Sequence, residues 1–303
     1  MGLQKTRAKI FQSPIFFFLF LLLIITSFLF FFNVFSGEDA SLLRVHYIDV
    51  DQGDSILIQT PGNQNILIDG GERNQGEYVK GYLQNQGVKH LHMVVGTHPH
   101  SDHIGGLGII LEHFPADMIL LPPVSHTTQT FEDLLHTIEE KNVPLIPVPS
   151  PEAYTFEENL TLEFLGPHLD FQDHLNNWSV VLKMTYKNHG FLFTGDIESA
   201  AESALLQGYP LETLSADVLK VPHHGSSTSS TAPFLEAVAP RVSIISCGKE
   251  NPYGHPHKET IERLLYFSSD LYRTDIHGTI LLKSNGVELW SPTAPFIPEN
   301  IGK

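Results

Sequence analysis

The sequence is poor in cysteine and in basic residues. Cys247 is the only cysteine among 303 residues, so no disulfide can form within the chain and a thiolate zinc knuckle is excluded. Lysine and arginine together number 18 against 34 aspartates and glutamates, which gives a formal net charge of −16 at pH 7. A protein this acidic is not expected to coat nucleic acid through a broad basic surface.

Charged residues of either sign are also few. They make up 17% of the chain, whereas hydrophobic residues make up 42%, and this balance excludes a disordered chain and a coiled coil. The length allows one large domain or two small ones, with a sizeable core. Histidine, by contrast, is abundant, with 17 residues in the chain. Because imidazole is a frequent metal ligand and general base, the positions of the histidines decide the functional question.

One apolar run, over residues 15–35, is long enough to cross a membrane. Its sequence, IFFFLFLLLIITSFLFFFNVF, contains no charge, and a helix of about 20 apolar residues spans the hydrocarbon core. Basic residues precede the run and acidic residues follow it: Lys5, Arg7, Lys9, Glu38 and Asp39. The positive-inside rule therefore predicts a cytoplasmic segment over 1–13, a transmembrane anchor over 14–36 and an extracytoplasmic remainder.

A cleaved signal peptide is the alternative interpretation of the same run. The apolar part of a signal peptide is usually only about 7–15 residues long, so we favour an uncleaved anchor, although Val34-Phe35-Ser36 would serve as a weak cleavage site. The first interpretation gives a single-pass protein of the cell membrane, and the second gives a secreted one. The first 37 residues contain three basic residues and no acidic one, so the exported part has a formal charge of −19.

The rest of the chain alternates strand-like and helix-like segments. Apolar runs of β type, such as RVHYIDV, DSILIQT and NILIDGG, are separated by turn residues, and helical stretches lie between the later ones. No internal linker or short-period repeat interrupts the pattern. It predicts one layered domain of mixed α and β structure over about residues 40–295, followed by a loose tail over 296–303.

The densest group of chemically active side chains is the segment Thr97–Gly106, THPHSDHIGG, which follows an apolar strand. Alternate residues of a loop can project to one side, so His98 and His100 can converge on one ion. Asp102 and His103 can then turn towards a second ion. Imidazole and carboxylate ligands suit zinc, and also manganese or iron. Two ions about 3.5–4 Å apart can hold a hydroxide and a substrate oxygen together.

The pattern H-x-H-x-D-H followed by Gly-Gly resembles the signature of the metallo-β-lactamase superfamily. Further segments resemble the lactamase-like domain of the ComEC family of DNA-uptake competence proteins: Asp49–Ser55, Asn176–Ser179, Phe193–Asp196, Leu219–Ser226 and Asn251–Pro256. The resemblance covers about residues 43–290. It implies an α+β fold, a four-layer αβ/βα sandwich, with two divalent metal ions, zinc or manganese, at one edge between two sheets.

Three features depart from the family patterns. ComEC proteins also carry a polytopic channel, whereas no second apolar run of spanning length occurs in this sequence. ComEC proteins often have aspartate at the position of His100, so the complete two-histidine pattern favours a better-formed first metal site. Superfamily hydrolases place a third histidine before the strand that here reads SVVLKMTY, where this chain has Asn176 and Asn177. We therefore expect His98 and His100 plus water to hold the first ion, with His174 as an alternative third ligand.

The resemblance also assigns the ligands of the second ion. Asp196, in Thr-Gly-Asp, corresponds to the carboxylate that bridges both ions, and an ordinary turn aspartate is the alternative interpretation. In VPHHG, the alignment favours His224 as the last ligand and leaves His223 in a supporting or substrate-facing position. The second ion is then held by four side chains: Asp102, His103, Asp196 and His224.

Other residues are candidates for supporting roles and for proton transfer. Asp69, at the end of NILIDGG, would accept the second N–H of a ligand histidine and fix its tautomer. Asp54, in the QGDS turn, is a candidate for a similar role. His255 corresponds to a histidine that protonates a leaving oxygen in several relatives, and a helix-cap position is its alternative. With Asp102 and His223, it is a candidate catalytic residue.

The resemblance implies a metal-dependent hydrolase outside the cytoplasm. Phosphodiester cleavage is the first expectation, because the ComEC domain resembles a nuclease, and single-stranded DNA is the corresponding substrate. The charge of −19 argues against tight, processive DNA binding but is compatible with short or single-stranded substrates. Two alternatives stay open. One is hydrolysis of another ester, a thioester or an amide, including a β-lactam, and the other is a metal-bound competence accessory protein without turnover.

Overall fold

The computed structural model of the protein describes five stretches of the chain: 17–27, 42–148, 153–167, 169–268 and 270–297. The chain divides into two compact units, with the boundary between Leu42 and Leu43. In the first unit, residues 17–27 are helical. None of the helices in the described stretches is long and apolar enough to cross a membrane. The predicted segment 1–13 and much of the predicted anchor over 14–36 lie outside the described residues.

The second unit contains strands and helices that alternate along most of the chain. Its strands are β1 (Leu43–Tyr47), β2 (Ile56–Gln59), β3 (Asn65–Ile68), β4 (Met93–Val95), β5 (Ile119–Leu121), β6 (Leu145–Pro147), β7 (Ala153–Glu157), β8 (Leu160–Gly166), β9 (Val181–Tyr186), β10 (His189–Phe193), β11 (Val218–Lys220), β12 (Val242–Ile245), β13 (Asp270–Arg273), β14 (Ile280–Ser284) and β15 (Leu289–Trp290). Its α-helices are α1 (Gly76–Asn85), α2 (Ser101–Ile104), α3 (Leu107–His113), α4 (Gln129–Glu140), α5 (Ser199–Gly208), α6 (Leu211–Leu214), α7 (Ala232–Val238), α8 (Lys258–Phe267) and α9 (Thr274–His277). Short 3-10 helices lie at Arg73–Gln75, Leu175–Trp178 and Pro222–Gly225.

The strands form two sheets. The first has the order β15-β14-β1-β2-β3-β4-β5-β6, and the second has the order β13-β12-β11-β10-β9-β8-β7. Strands β3 to β6 are parallel to one another, and so are β10 to β13. Parallel neighbours need crossover connections, which here contain helices in most cases. The carboxyl ends of the strands in each parallel set therefore meet at one edge of their sheet.

Alternation of apolar side chains along the strands produces three packed interfaces. In β2, Ile56 and Ile58 belong to the cluster between the two sheets, which Phe193 of β10 joins from the second sheet. Leu57 points the other way and packs with the helices that cover the first sheet. A third cluster, which includes Leu219 of β11, packs the second sheet against its own helices. The layers are thus helix, sheet, sheet and helix, which confirms the prediction of a two-sheet α+β sandwich.

Candidate metal centre

The residues predicted as metal ligands, and Asp69, which was predicted to support one of them, lie at the carboxyl ends of parallel strands from both sheets. Asp69 follows β3, the segment His98–His103 follows β4, Asp196 follows β10 and His224 follows β11. Open parallel sheets bind ligands at this edge, because loops that are distant in sequence come together there. The topology therefore explains how an aspartate and a histidine from the second half of the chain meet the histidine-rich loop.

Some of these side chains are oriented towards the site by backbone conformations that are rare in proteins. His223 and His224 have φ values of 50° and 53°, in the left-handed region that side chains with a Cβ rarely adopt outside constrained sites. Gly53 has a φ of 136°, and a Cβ at this position would lie 2.2 Å from the Asp102 carbonyl oxygen. The glycine therefore allows the turn that carries Asp54 to lie against the ligand loop.

Four side chains converge within a small volume: Asp102, His103, Asp196 and His224, whose ligand atoms all lie within 4.8 Å of one another. Asp196 Oδ2 is 3.2 Å from the Nε2 atoms of both His103 and His224. Asp102 Oδ2 is 3.3 Å from His224 Nε2. Donor atoms about 2.0–2.1 Å from a tetrahedral ion are roughly 3.3 Å apart, so these separations match a ligand cage.

The hydrogen bonds of the two imidazoles leave the facing nitrogens available for a metal. His103 Nδ1 donates to Asp69 Oδ2 at 2.8 Å, and His224 Nδ1 donates to the Ser246 carbonyl oxygen at 2.9 Å. In its neutral form each ring would keep its proton on Nδ1 and offer a lone pair on Nε2 to a metal. Both Nε2 atoms and Asp196 Oδ1 are buried without a hydrogen-bond partner. Buried polar atoms are normally satisfied, so this donor set fits a divalent metal ion.

The charges of the cluster also fit a bound cation. Burial alone would raise the pKa of Asp196, but His224 and His103 hold it well below its usual range. Burial alone would lower the pKa of His224, but the Asp196 carboxylate and the neighbouring Asp102 raise it to about 9. The carboxylates thus draw protons onto the imidazoles. A bound divalent cation would satisfy the same carboxylates and would displace those protons.

His98 and His100 present a second pair of nitrogens beside this cluster. His98 Nε2 lies 2.9 Å from His100 Nδ1, and the His98 and His103 ring centroids are 4.2 Å apart. Burial and the neighbouring His103 lower the pKa of His98 well below its usual value, so the ring is neutral, as a metal ligand must be. Its Nδ1 is 3.2 Å from Thr97 Oγ1 and 3.3 Å from Ser179 Oγ. These nitrogens are the donors predicted for the first ion.

Asn176, and not His174, lies beside the predicted ligands. His174 is exposed at the start of the 3-10 helix Leu175–Trp178. Asn176, rather than His174, is among the residues that line the cavity above the ligands. Asn177 turns away, and its Oδ1 accepts a hydrogen bond from the backbone N–H of Glu198 at 2.9 Å.

Lys220 is a site residue that the sequence analysis did not identify. It is fully buried at the end of β11, and its Nζ forms an ion pair with Asp54 and lies 3.8 Å from Asp196 Oδ1. Burial alone would lower the pKa of Lys220, but Asp54 raises it, so the ammonium group stays charged. A lysine inside an otherwise apolar strand, VLKV, is the only sequence signal of this role.

The ligand cluster opens into a cavity of about 410 Å³. The lining residues are Gln52, Pro99, His100, Ser101, Asp102, His126, Thr128, Thr130, Asn176, Asp196, His223, His224, Tyr253 and His255. None of these lining residues is a lysine or an arginine. A negatively charged substrate in this cavity therefore depends on the metal centre for charge neutralisation.

The two candidate proton donors, His223 and His255, both line the cavity but differ in their surroundings. His223 Nδ1 lies 3.3 Å from Glu198 Oε1 and 3.2 Å from Thr228 Oγ1. The hydrogen bond from His223 lowers the pKa of Glu198, so a carboxylate lies beside Nδ1 of this ring. Burial and the neighbouring His223 instead lower the pKa of His255 to about 4, which leaves that ring neutral at pH 7. No motif in the sequence marks Glu198 as a site residue.

A second group of ligand-type side chains is a poorer metal site. His90, His92 and Asp117 lie close together on the surface. His92 Nδ1 accepts a hydrogen bond from the backbone N–H of Asn65 at 3.0 Å, so its proton lies on Nε2 and neither nitrogen has a free lone pair. His90 Nε2 is 2.8 Å from Asp117 Oδ1, a separation typical of a surface ion pair.

The family model described as "Metallo-beta-lactamase superfamily" matches residues 48–249. ComE operon protein 3 of Bacillus subtilis (strain 168) is 30% identical over 276 residues, which cover 85% of this chain and 35% of that protein. Competence protein ComA of Neisseria gonorrhoeae is 29% identical over 233 residues, which cover 77% of this chain and 31% of that protein. The chain thus spans about a third of the length of these curated relatives.

Two solved structures share the fold. Igni18, a metallo hydrolase from Ignicoccus hospitalis KIN4/I, matches with a TM-score of 0.51 and 14% identity over 79% of this chain and 98% of that one. CmlA, a diiron beta-hydroxylase from Streptomyces venezuelae, matches with a TM-score of 0.52 and 12% identity over 80% of this chain and 54% of that one. These two proteins are named for different reactions, so the reaction of this chain has to be argued from its own site.

Proposed function

This chain belongs to the metallo-beta-lactamase superfamily, and from that premise we propose that it is a metal-dependent phosphodiesterase that cleaves single-stranded nucleic acid. Its fold and its set of candidate ligands are those of a metal-dependent hydrolase. The observation that carries the proposal is the cage of buried carboxylate and imidazole donors at the base of an accessible cavity. The names of the two relatives, both competence or com-operon proteins, support nucleic acid as the substrate class.

Some residues of the site would bind the metal ions, and others keep the metal ligands in position. Asp102, Asp196, His103 and His224 form one donor set, with His98 and His100 beside it. Bound zinc or manganese would supply a hydroxide near neutral pH and neutralise charge on the phosphate. Asp69 fixes the tautomer of His103, and Lys220 limits the repulsion between Asp54 and Asp196.

His223 is the better placed of the two candidate proton donors. Hydrolysis adds a water oxygen to phosphorus and breaks the bond to the leaving oxygen, which must then gain a proton. Glu198 Oε1 lies 3.3 Å from Nδ1 of His223 and orients the ring, whose Nε2 lies 3.5 Å from Asn176 Nδ2 where both residues line the cavity. His255 is neutral at pH 7 and is better suited to accept or donate a hydrogen bond to the substrate.

A pair of substrates with different leaving groups tests this assignment. His223→Ala should lower kcat/KM for methyl phenyl phosphate by about 100-fold or more, but lower it far less for methyl p-nitrophenyl phosphate, because only the poor leaving group needs a proton in the transition state. His255→Ala should lower both rates by similar factors. Equal losses on both substrates in His223→Ala would remove His223 from this role, and a selective loss in His255→Ala would transfer the role to His255.

A substrate panel tests the proposed reaction class with the full chain supplied with zinc or manganese. We expect cleavage of single-stranded DNA and of bis(p-nitrophenyl) phosphate, with negligible turnover of a thioester or a chromogenic cephalosporin. The rate on DNA should rise from low to moderate salt, because added ions screen an acidic surface from a polyanion. Thioester or cephalosporin turnover without phosphodiester turnover would favour the other hydrolase class, and no turnover at all would favour an accessory protein.

We also propose that the second unit acts outside the cytoplasm, held by the segment at 14–36. The support is the distribution of Lys5, Arg7 and Lys9 before the apolar run and of acidic residues after it. Protease added to intact, wall-stripped cells should digest the second unit. Digestion that requires cell lysis would contradict this topology.

A further inference from the structure

The loop Asn251–His255 is held in one conformation by the side chain of its first residue. Asn251 Oδ1 accepts hydrogen bonds from the backbone N–H groups of Tyr253 and His255, at 3.2 Å and 3.0 Å. Its Nδ2 donates to the carbonyl oxygens of Gly248 and His255, at 2.9 Å and 2.6 Å. Gly254 has a φ of 71°, which closes the turn. Tyr253 and His255 are therefore fixed relative to each other at the rim of the cavity.

The rings of this loop form a stack that leads from the rim to the ligand cage. The Tyr253 and His255 rings lie 5.6 Å apart with 23° between their planes. The His255 and His224 rings lie 6.3 Å apart with 29° between their planes. Tyr253 is nevertheless 64% exposed, although it lines the cavity. A large aromatic ring is thus held open to solvent and stacked on the His255 imidazole behind it.

The composition of the cavity lining indicates how the Tyr253 ring could contribute to substrate binding. The described lining contains no lysine or arginine, so phosphates beyond the one at the metal centre find neither of these cationic side chains in it. Affinity for a nucleotide must then come from another part of the substrate. Every nucleobase has a planar face, and stacking on an aromatic side chain is the usual way in which proteins bind bases without sequence preference.

We propose that Tyr253 is a stacking platform for the base adjacent to the scissile phosphodiester. The inference rests on the proposed phosphodiesterase function and extends it, because it selects nucleoside phosphodiesters over other phosphodiesters. It also makes the enzyme tolerant of base identity, since the contact uses a ring face and not a base edge. His255 supports the platform from behind and connects it to the ligand His224.

Two substrates with the same leaving group test the platform with the full, metal-loaded chain. Thymidine 5′-(p-nitrophenyl phosphate) carries a base, and methyl p-nitrophenyl phosphate does not. We expect kcat/KM to be about tenfold higher for the thymidine substrate, which corresponds to one base stack. Tyr253→Ala should reduce this ratio about tenfold, and Tyr253→Phe should preserve it. Tyr266→Ala is the matched control, because Tyr266 is 83% exposed on α8 and does not line the cavity.

Equilibrium binding measurements distinguish two outcomes: that the proposed role of Tyr253 is wrong, and that the proposed reaction is wrong. Thymidine 5′-monophosphate should bind the metal-loaded chain about tenfold more tightly than inorganic phosphate, and Tyr253→Ala should remove this difference. An unchanged substrate ratio and an unchanged binding difference in Tyr253→Ala would overturn the platform, and so would an equal loss in Tyr253→Phe. Selective binding that depends on Tyr253, without turnover of either phosphodiester, would support the platform and contradict the phosphodiesterase.

Discussion

Asp196→Asn should purify with most of its metal missing and with no measurable phosphodiesterase activity. Asp196 Oδ2 lies 3.2 Å from Nε2 of both His103 and His224, so its charge binds the cation and its position links the two imidazoles. Loss of a residue that only supports a metal ligand typically lowers metal affinity about 10–100-fold, and loss of a ligand itself should exceed that. Elemental analysis after dialysis against metal-free buffer measures the effect directly.

Asp117→Asn is the matched control for this experiment. Asp117 is also an aspartate beside histidines, but it is exposed and pairs with His90 at 2.8 Å. The variant should keep the metal content and the thermal stability of the wild-type chain. If Asp196→Asn retained wild-type metal content, or if Asp117→Asn lost metal to the same extent, the assignment of the ligand cage would be wrong.

Lys220→Met should lower the free energy of unfolding of the metal-free chain by about 3–5 kcal/mol, the usual cost of removing one partner from a buried ion pair. The substitution keeps the length and the apolar stem of the side chain but leaves Asp54 buried without its cationic partner. Bound metal should reduce the loss, because a divalent cation partly compensates the same group of carboxylates. Urea denaturation with chelator and with metal measures both values.

Lys183→Met separates this effect from the general cost of removing a buried lysine. Lys183 is 8% exposed, but its Nζ donates to the carbonyl oxygens of Glu212 and Thr213, at 3.2 Å and 2.8 Å. Its replacement should cost less, about 1–3 kcal/mol, and this loss should not depend on metal. Adding Asp54→Asn to Lys220→Met should restore part of the stability. Equal, metal-independent losses for the two lysines, with no restoration, would contradict the role given to Lys220.

The loop that carries the candidate metal ligands could be recognised from the sequence. Four potential donors fall within six residues after an apolar strand, and the structure places Asp102 and His103 in one cage and the nitrogens of His98 and His100 beside it. The participation of Asp196 and His224 rested on the family resemblance alone. The loops that carry Asp196 and His224 meet the metal loop because both sheets present the carboxyl ends of parallel strands at the same site. The spacing of residues along the chain does not reveal this proximity.

The contacts that set the electrostatics of the site could not be predicted from the sequence. Lys220 meets Asp54, and Glu198 meets His223, only after the chain has folded, and each of these residue types is common in surface positions. The edge strands β6 and β7 also escaped the sequence analysis. The three residues of β6 are Leu145, Ile146 and Pro147, and all are exposed, so no alternation of buried and exposed side chains marks this segment as a strand, and its proline argues against one.

Returning metal stepwise to the chelator-treated full chain tests the central claim most directly. At each addition, bound metal and the rate of methyl p-nitrophenyl phosphate hydrolysis are measured on the same sample. We expect no hydrolysis without metal, a rate that rises with occupancy, and saturation when the two donor sets are filled, at two ions per chain. Hydrolysis that is independent of bound metal, or full occupancy of the cage without hydrolysis of this phosphodiester, would contradict this claim.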